Sequence, residues 1–284
     1  MKLTGRRTST NVDDRRRSGG AAAGLGIGGI IIAGIIAWLT GGNPLEVITG
    51  QLMNNVGQTG AEYTPSAEED AVALFASQIL AGTEDVWTKE FEKMGRKYIP
   101  PKMVLFTRAV NSGCGSASSQ TGPFYCSADQ TVYLDISFFE QMSGQLGAGG
   151  DFAYAYVIAH EVGHHVQYLL GTLSEVQKKQ SRMSQKESNQ LNVRLELQAD
   201  FYAGIWAYHD NKIYNSLEQG DIEEGLNAAS AIGDDRLQMQ SQGYTVPDAF
   251  NHGTSAQRVR WLKKGANFGR VTDGDTFSPN YSDL

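Results

Sequence analysis

Hydrophobic and polar positions divide the chain into an apolar run, a polar linker and a long body of mixed periodicity. Residues 21–39 (AAAGLGIGGIIIAGIIAWL) carry no charge and no strongly polar side chain. As a helix rising about 1.5 Å per residue, this run roughly matches the ~30 Å hydrocarbon core of a bilayer. Residues 40–64, rich in Gly, Asn and Thr, read as a linker. The body covers residues 65–284. Ser66-Ala67-Glu68-Glu69 has the S-x-x-E form of a helix-starting capping box, and Val72, Leu74, Phe75, Ile79 and Leu80 follow it. A second helix is predicted over 84–94. Residues 103–110 (MVLFTRAV) and 131–139 (TVYLDISFF) read as strands, being β-branched, aromatic and bounded by turn residues. From 151 the periodicity turns helical. One helix covers 151–170 and stops at Gly171, a polar stretch covers 175–188, and further helices cover 189–209 and 221–238. The last helix starts at Thr254, where Thr254 and Gln257 form another capping box. The predicted architecture is α+β, mostly helical with a small β-sheet, preceded by one transmembrane helix.

Charge changes this picture at the N-terminus. The chain of 284 residues has 24 Lys and Arg against 31 Asp and Glu, a net charge of -7, and this acidic balance argues against a nucleic-acid partner. Residues 1–20 depart from the average, with Lys2, Arg6, Arg7, Arg15, Arg16 and Arg17 against Asp13 and Asp14. The other flank of the apolar run, Thr40-Gly41-Gly42-Asn43-Pro44, has no basic residue. The positive-inside rule then predicts a basic cytoplasmic N-terminus (1–20), a membrane anchor (21–39) and an exported body, hence a single-pass protein of the cell membrane with its larger domain outside the cytoplasm. The run is long for a signal-peptide core and no A-x-A site follows it, so the anchor is read as uncleaved. In an oxidising compartment Cys114 and Cys126, the two cysteines of the chain, are expected to close a short loop by a disulfide.

The candidate chemistry lies in the helical half. His160-Glu161-Val162-Gly163-His164 is H-E-x-x-H inside an apolar helix. The i,i+4 spacing puts His160 and His164 on one face, where two imidazoles can hold one Zn²⁺. Glu161 stands beside them, within reach of a water activated by the metal. Glu196-Leu197-Gln198-Ala199-Asp200 repeats the i,i+4 arrangement with two acids. Glu196 is the candidate third ligand, and Asp200 is placed to accept the outer N–H of a ligating histidine, fixing its tautomer. Acids and histidines in so apolar a setting need a shared partner. The longer pattern H-E-x-x-H-x-x-G-x-x-H fails, because Gln167 and Leu170 stand where Gly and His are required. His165 points about 100° away from His164 along the helix and reads as a packing or outer-sphere residue.

Hydrolysis of an amide builds negative charge on the carbonyl oxygen, and a cationic or hydrogen-bonding side chain opposite the metal lowers that barrier. His252, just before the last helix, is the candidate for this role. Arg258, within the first two turns of that helix, is placed to orient the loop or to pair with an acid. An extended peptide could also add to the edge of a sheet formed by the strand at 131–139.

Taken in order, PFYCSADQTVYLD, HEVGHH, ELQADFYAGIWA and HGTSAQR, behind a basic N-terminus with one anchor, resemble the bacterial neutral zinc metallopeptidases, and more broadly the gluzincins. The resemblance implies a zincin-like metalloprotease domain with Zn²⁺ on His160, His164 and Glu196. It implies Glu161 as general base, Asp200 in support of a histidine, and a peptide or protein as substrate. His252-Gly253 stands where membrane-associated gluzincins have His-Pro. Two other readings use the same residues: a non-catalytic, zinc-stabilised envelope binding protein, and a metal-dependent amidase acting on cell-wall material. A closed structural zinc site has four protein ligands, and the three good ligands here favour catalysis.

Overall fold

Two close helix crossings and one small sheet determine where the predicted site residues meet. The computed structural model describes residues 1–17 and 64–284. The expected anchor, residues 21–39, and the linker up to residue 63 lie outside the described residues. Among the described residues no helix is long and apolar enough to cross a membrane. In chain order the elements are β1 (Val12–Asp14), α1 (Ala67–Lys93), β2 (Lys102–Phe106), β3 (Ala109–Ser112), β4 (Gly115–Ser118), β5 (Phe124–Cys126) and β6 (Thr131–Asp135). Helices α2 (Ser137–Gly144), α3 (Asp151–Leu170), α4 (Thr172–Gln180), α5 (Gln185–Tyr214), α6 (Asp221–Ala231), α7 (Asp234–Gln242) and α8 (Ser255–Phe268) follow. The protein is mixed, helical for the most part, with a small sheet.

The capping box at Ser66 forms as expected: Ser66 Oγ accepts the N–H of Glu69, and the Glu69 carboxylate accepts the N–H of Ser66. The two helices predicted from there are one continuous helix, α1, because no proline or cap separates them. Gly82 does not break it and instead leaves a notch on its surface.

The sheet has the order β1-β2-β6-β5, with parallel pairs β1/β2 and β2/β6 and an antiparallel pair β5/β6. The strand predicted over 103–110 is split. The chain leaves the sheet at Thr107, Arg108 takes a left-handed conformation (φ 70°), and the hairpin β3/β4 follows as a separate pair. The strand predicted over 131–139 stops at Asp135, whose carboxylate accepts the N–H groups of Arg108 and Ser137 and turns the chain into α2. Strand β6 lies between β2 and β5 and is interior, so the edge strand on that side is β5 rather than the strand expected. Cys114, just before β4, and Cys126 on β5 are joined by a disulfide, which ties the hairpin to that edge.

The opposite edge is covered by β1. Residues 1–20 are expected as a tail apart from the body, yet residues 1–17 pack into it, with Val12, Asp13 and Asp14 in register with Met103, Val104 and Leu105.

In the helical half, α3 has the predicted bounds and ends at Gly171, which is left-handed (φ 89°). Part of the expected polar stretch is α4, held by buried Val176. Helix α5 starts before the predicted residue 189, at a capping box of Ser184 and Glu187. The helix predicted over 221–238 is two, α6 and α7, because the chain turns at Ile232-Gly233, where a Cβ on Gly233 would lie 2.4 Å from the backbone N of Ser255. Helix α8 begins at the expected Thr254–Gln257 box.

Two glycines let α5 and α8 touch backbone to backbone. A Cβ on Gly204 would lie 2.3 Å from the carbonyl oxygen of Leu262, and one on Gly265 would lie 2.1 Å from that of Phe201. Neither can be relieved by rotating a side chain, so adding a methyl group must push the helices apart. We expect Gly265→Ala to cost on the order of 1–3 kcal/mol, as overpacking does. The melting temperature should fall by several degrees, at roughly 2–4 °C per kcal/mol for a domain of this size. Thermal unfolding followed by circular dichroism checks this, and an unchanged midpoint would mean that the crossing is not tight.

Candidate metal centre

The H-E-x-x-H helix α3 and the acidic helix α5 cross at Gly163. A Cβ there would lie 3.0 Å from the carbonyl oxygen and 3.1 Å from the Cα of Ala199, so only glycine allows this approach without displacement. The close crossing brings His160 and His164 against Glu196. His160 Nε2 is 3.2 Å from Glu196 Oε2, and His164 Nε2 is 3.4 Å from Glu196 Oε1. One donor atom from each of the three residues lies within 4.8 Å of the others.

These separations suit zinc. Donors about 2.0–2.2 Å from a tetrahedral ion stand roughly 3.3–3.5 Å from one another. The hydrogen bonding of the histidines points the same way. The Nδ1 of His160 lies 2.8 Å from Asp200 Oδ1, and carboxylates only accept. Gln167 donates from Nε2 to the Leu195 carbonyl (2.7 Å), which leaves its Oε1 to accept from Nδ1 of His164 at 2.9 Å. Both Nδ1 atoms therefore carry hydrogen, and in the neutral rings both Nε2 lone pairs face the Glu196 carboxylate. Lone pairs and an anion aimed at one point are stable together only with a proton or a metal cation between them. The same demand appears in the titration of His160. Burial opposes its charge, yet the charge and hydrogen bond of Asp200 and the hydrogen bond of Glu196 push its pKa up to about 10.

Asp200 is fully buried and is shared by three helices. Arg258 on α8 donates from Nε to its Oδ2 and from Nη2 to its Oδ1, both at 2.9 Å. Tyr156 on α3 donates its hydroxyl to Oδ1 at 2.6 Å and accepts from Arg258 Nη2 at 3.2 Å. Burial raises the pKa of Asp200, but the charges of Arg258 and His160 outweigh it and bring it to about 2, so the group is ionised near neutrality. Of the two roles open to Arg258, pairing with an acid is the one observed.

Glu161 is buried beside the donors. Burial raises its pKa above the ordinary carboxylate value, while the charges of His160 and His164 and the backbone of Tyr125 on β5 favour its ionised form. His165 faces away from the cluster, with Nδ1 2.9 Å from the Tyr125 hydroxyl and Nε2 2.7 Å from the carbonyl of Ile99. Burial holds its pKa down, to about 4, so it is a neutral packing residue. His252 reaches the cleft from the turn before α8, half-exposed, with Nδ1 3.1 Å from Asp234 Oδ1. The other oxygen of Asp234 accepts the backbone N–H groups of Asn251, His252 and Gly253 at 2.6–2.9 Å. Burial works against a charged His252, but the hydrogen bond to Asp234 and the charges of Glu196 and Asp234 raise its pKa above the ordinary value.

A cleft of about 560 Å³ opens over the cluster. Tyr125, the disulfide-tied hairpin, Phe138, Val157, Ile232 and Leu237 line it.

Two residues of this arrangement are absent from the sequence reading. Gln167 enters there only as the position that breaks a longer motif, and Asp234 not at all. The signal for Asp234 is a Gly-Asp pair inside a predicted helix, which marks a break and a new helix start. Among the described residues a second group of acids, Asp151, Asp221 and Glu224, lies close together. The terminal ammonium of Met1 reaches Asp151 and Asp221 there. It offers oxygen donors alone, whereas zinc takes nitrogen or sulfur ligands in most of its sites.

Two histidines one turn apart, an adjacent glutamate and a glutamate from a second helix define a candidate zinc centre of the H-E-x-x-H kind. Comparison with known proteins gives the family. The family described as "Putative neutral zinc metallopeptidase" matches residues 1–277, and the chain belongs to it. The chain is 50% identical to the uncharacterized protein YpfJ of Escherichia coli (strain K12), over 98% of this chain and 99% of that protein. It is 46% identical to the uncharacterized protein Rv2575 of Mycobacterium tuberculosis (strain H37Rv), over 64% of each. No solved structure matches the chain significantly.

If Gln167 orients His164, then Gln167→Leu should weaken zinc binding by about 10–100-fold, the usual effect of losing such a partner. Competition with a chromogenic chelator measures this. Wild-type affinity in a folded variant would remove Gln167 from the metal centre.

Proposed function

We propose that the protein is a zinc-dependent peptidase in which Glu161 is the general base and His252 stabilises the developing oxyanion. The observation that carries this reading is the convergence of His160, His164 and Glu196 at zinc-like spacing below an open cleft, with Glu161 beside them. Three protein ligands under a cleft suit a catalytic ion better than a structural one, which takes four. His165, the histidine that follows His164 in the chain, is committed to Tyr125 and Ile99. A zincin-like fold is part of the same proposal, supported by the helix order and by a sheet edge, β5, beside the cleft.

His160, His164 and Glu196 would hold the ion, which when bound polarises a carbonyl and lowers the pKa of a neighbouring water toward ~7. Glu161 takes the proton of the attacking water as the C–O bond forms. It then passes that proton to the leaving amine as the C–N bond breaks. Burial of Glu161 keeps its pKa above that of an exposed carboxylate and so suits both directions of transfer. His252, whose charged form the pairing with Asp234 favours, donates to the oxygen on which negative charge builds. Asp234 positions the ring. An extended peptide would run along β5 and be hydrolysed where it passes the cluster. We further propose membrane attachment through residues 21–39, supported by their apolar sequence. The disulfide supports an extracytoplasmic place for the body.

Peptide-library cleavage by wild type and by Glu161→Gln, with zinc content measured on both, tests the reading. The variant should keep its zinc and lose turnover by about 10²–10⁴-fold, the usual contribution of general acid–base catalysis. Equal turnover would refute the role of Glu161. A pH profile tests His252. Activity that needs its charged form is lost as pH rises through its raised pKa, and Asp234→Asn should move that basic limb to lower pH. A basic limb unmoved by Asp234→Asn would mean that this pair does not control the reaction.

A further inference from the structure

Residues 1–17 sit in a place built to receive them. Arg6 lies in the notch at Gly82, where a Cβ would be 2.6 Å from Arg6 Nη2 and 2.8 Å from Asp210 Oδ1. It grips the Asp210 carboxylate with both terminal nitrogens, at 2.6 and 3.2 Å, and its guanidinium lies 3.7 Å above the Tyr214 ring. Asp210 is fully buried, and among the described residues Arg6 is its one side-chain partner. A second buried acid, Glu84, takes Ser9 Oγ at 2.5 Å, Asn11 Nδ2 at 2.8 Å and Arg7 at 2.9 Å. Between these anchors Ser9 N–H donates to the Ser77 carbonyl at 3.1 Å, and β1 then pairs with β2. Arg16, also buried, ends the arm between Asp14 and Asp70. The body thus buries two carboxylates whose positive and hydrogen-bonding partners come from the arm, and it keeps a glycine where a side chain would evict Arg6.

This bears on topology. The positive cluster before residues 21–39 predicts that residues 1–20 and the body lie on opposite sides of a membrane. Arg6 and Arg7 are instead neutralised by acids of the folded domain, and Arg16 by Asp14 of the arm together with Asp70 of the domain, so much of that cluster is structural charge. We infer that residues 1–17 are an integral edge of the domain and lie on the same side of any membrane as residues 64–284. The far edge of the sheet is then closed by the chain's own N-terminus, and β5 is left as the edge that faces the cleft.

Single cysteines at Thr10 and at Lys263, both exposed, report the side of each part in the full chain, because the native cysteines are paired. A membrane-impermeant maleimide is applied to spheroplasts expressing each variant and then to detergent-opened ones. Both sites should react before opening, or both only after it. Reaction of one before opening and of the other only after it would overturn the inference. Arg6→Glu in the purified full chain gives an independent readout. Its melting midpoint should fall by several degrees, and an unchanged midpoint would mean that the arm is not docked.

Discussion

The carboxylate of Asp200 is the point on which three helices agree. Helix α5 carries it, α3 offers it His160 and Tyr156, and α8 offers it Arg258. A charge buried this deeply is tolerated only when its hydrogen bonds are satisfied, and breaking such an arrangement by removing one partner costs about 3–5 kcal/mol. The geometry of the metal cluster therefore inherits the rigidity of the core. His160 cannot rotate without breaking its hydrogen bond to Asp200, and α8 cannot shift without withdrawing Arg258 and moving the His252 turn.

The glycines explain how such an arrangement fits. Gly163 against Ala199 sets the distance between the histidine helix and the glutamate helix, and Gly204 against Gly265 sets that between the glutamate helix and the arginine helix. A methyl group at Gly163 would need its neighbour to give by a few tenths of an ångström, and one at Gly204 or Gly265 would need more, whereas zinc ligation tolerates only about a few tenths. Position x of H-E-x-x-H is thus a packing requirement here as much as a spacer.

What the sequence revealed follows from the range of the interactions. The i,i+4 pairs His160/His164 and Glu196/Asp200 are local, and helical periodicity alone puts each pair on one face. Their meeting was legible because apolar neighbours leave buried acids and imidazoles in need of each other. The capping boxes at Ser66 and Thr254 were legible for the same local reason. Gln167 and Asp234 were not: Gln167 lies one turn from His164, but the Leu195 carbonyl that turns its oxygen toward the ring is on another helix, and Asp234 meets His252 only through tertiary packing. The docking of residues 1–17 was hidden most completely. Arg6 and Asp210 are 204 positions apart, and a basic cluster before an apolar run has a ready local explanation in membrane topology. The strand predicted over 131–139 failed at its end because Asp135 accepts two backbone N–H groups and starts a helix, a role that β-propensity does not register.

The central claim is that two imidazoles of one helix and a carboxylate of another hold a zinc ion with a position left for solvent. Zinc K-edge X-ray absorption on the loaded full-length protein tests it most directly. The account predicts two imidazoles and oxygen donors at about 2.0–2.1 Å, with loss of the imidazole signature when His160 and His164 are replaced. A spectrum of oxygen donors alone, which would place the ion at Asp151, Asp221 and Glu224, or a shell filled by four protein ligands, would contradict it.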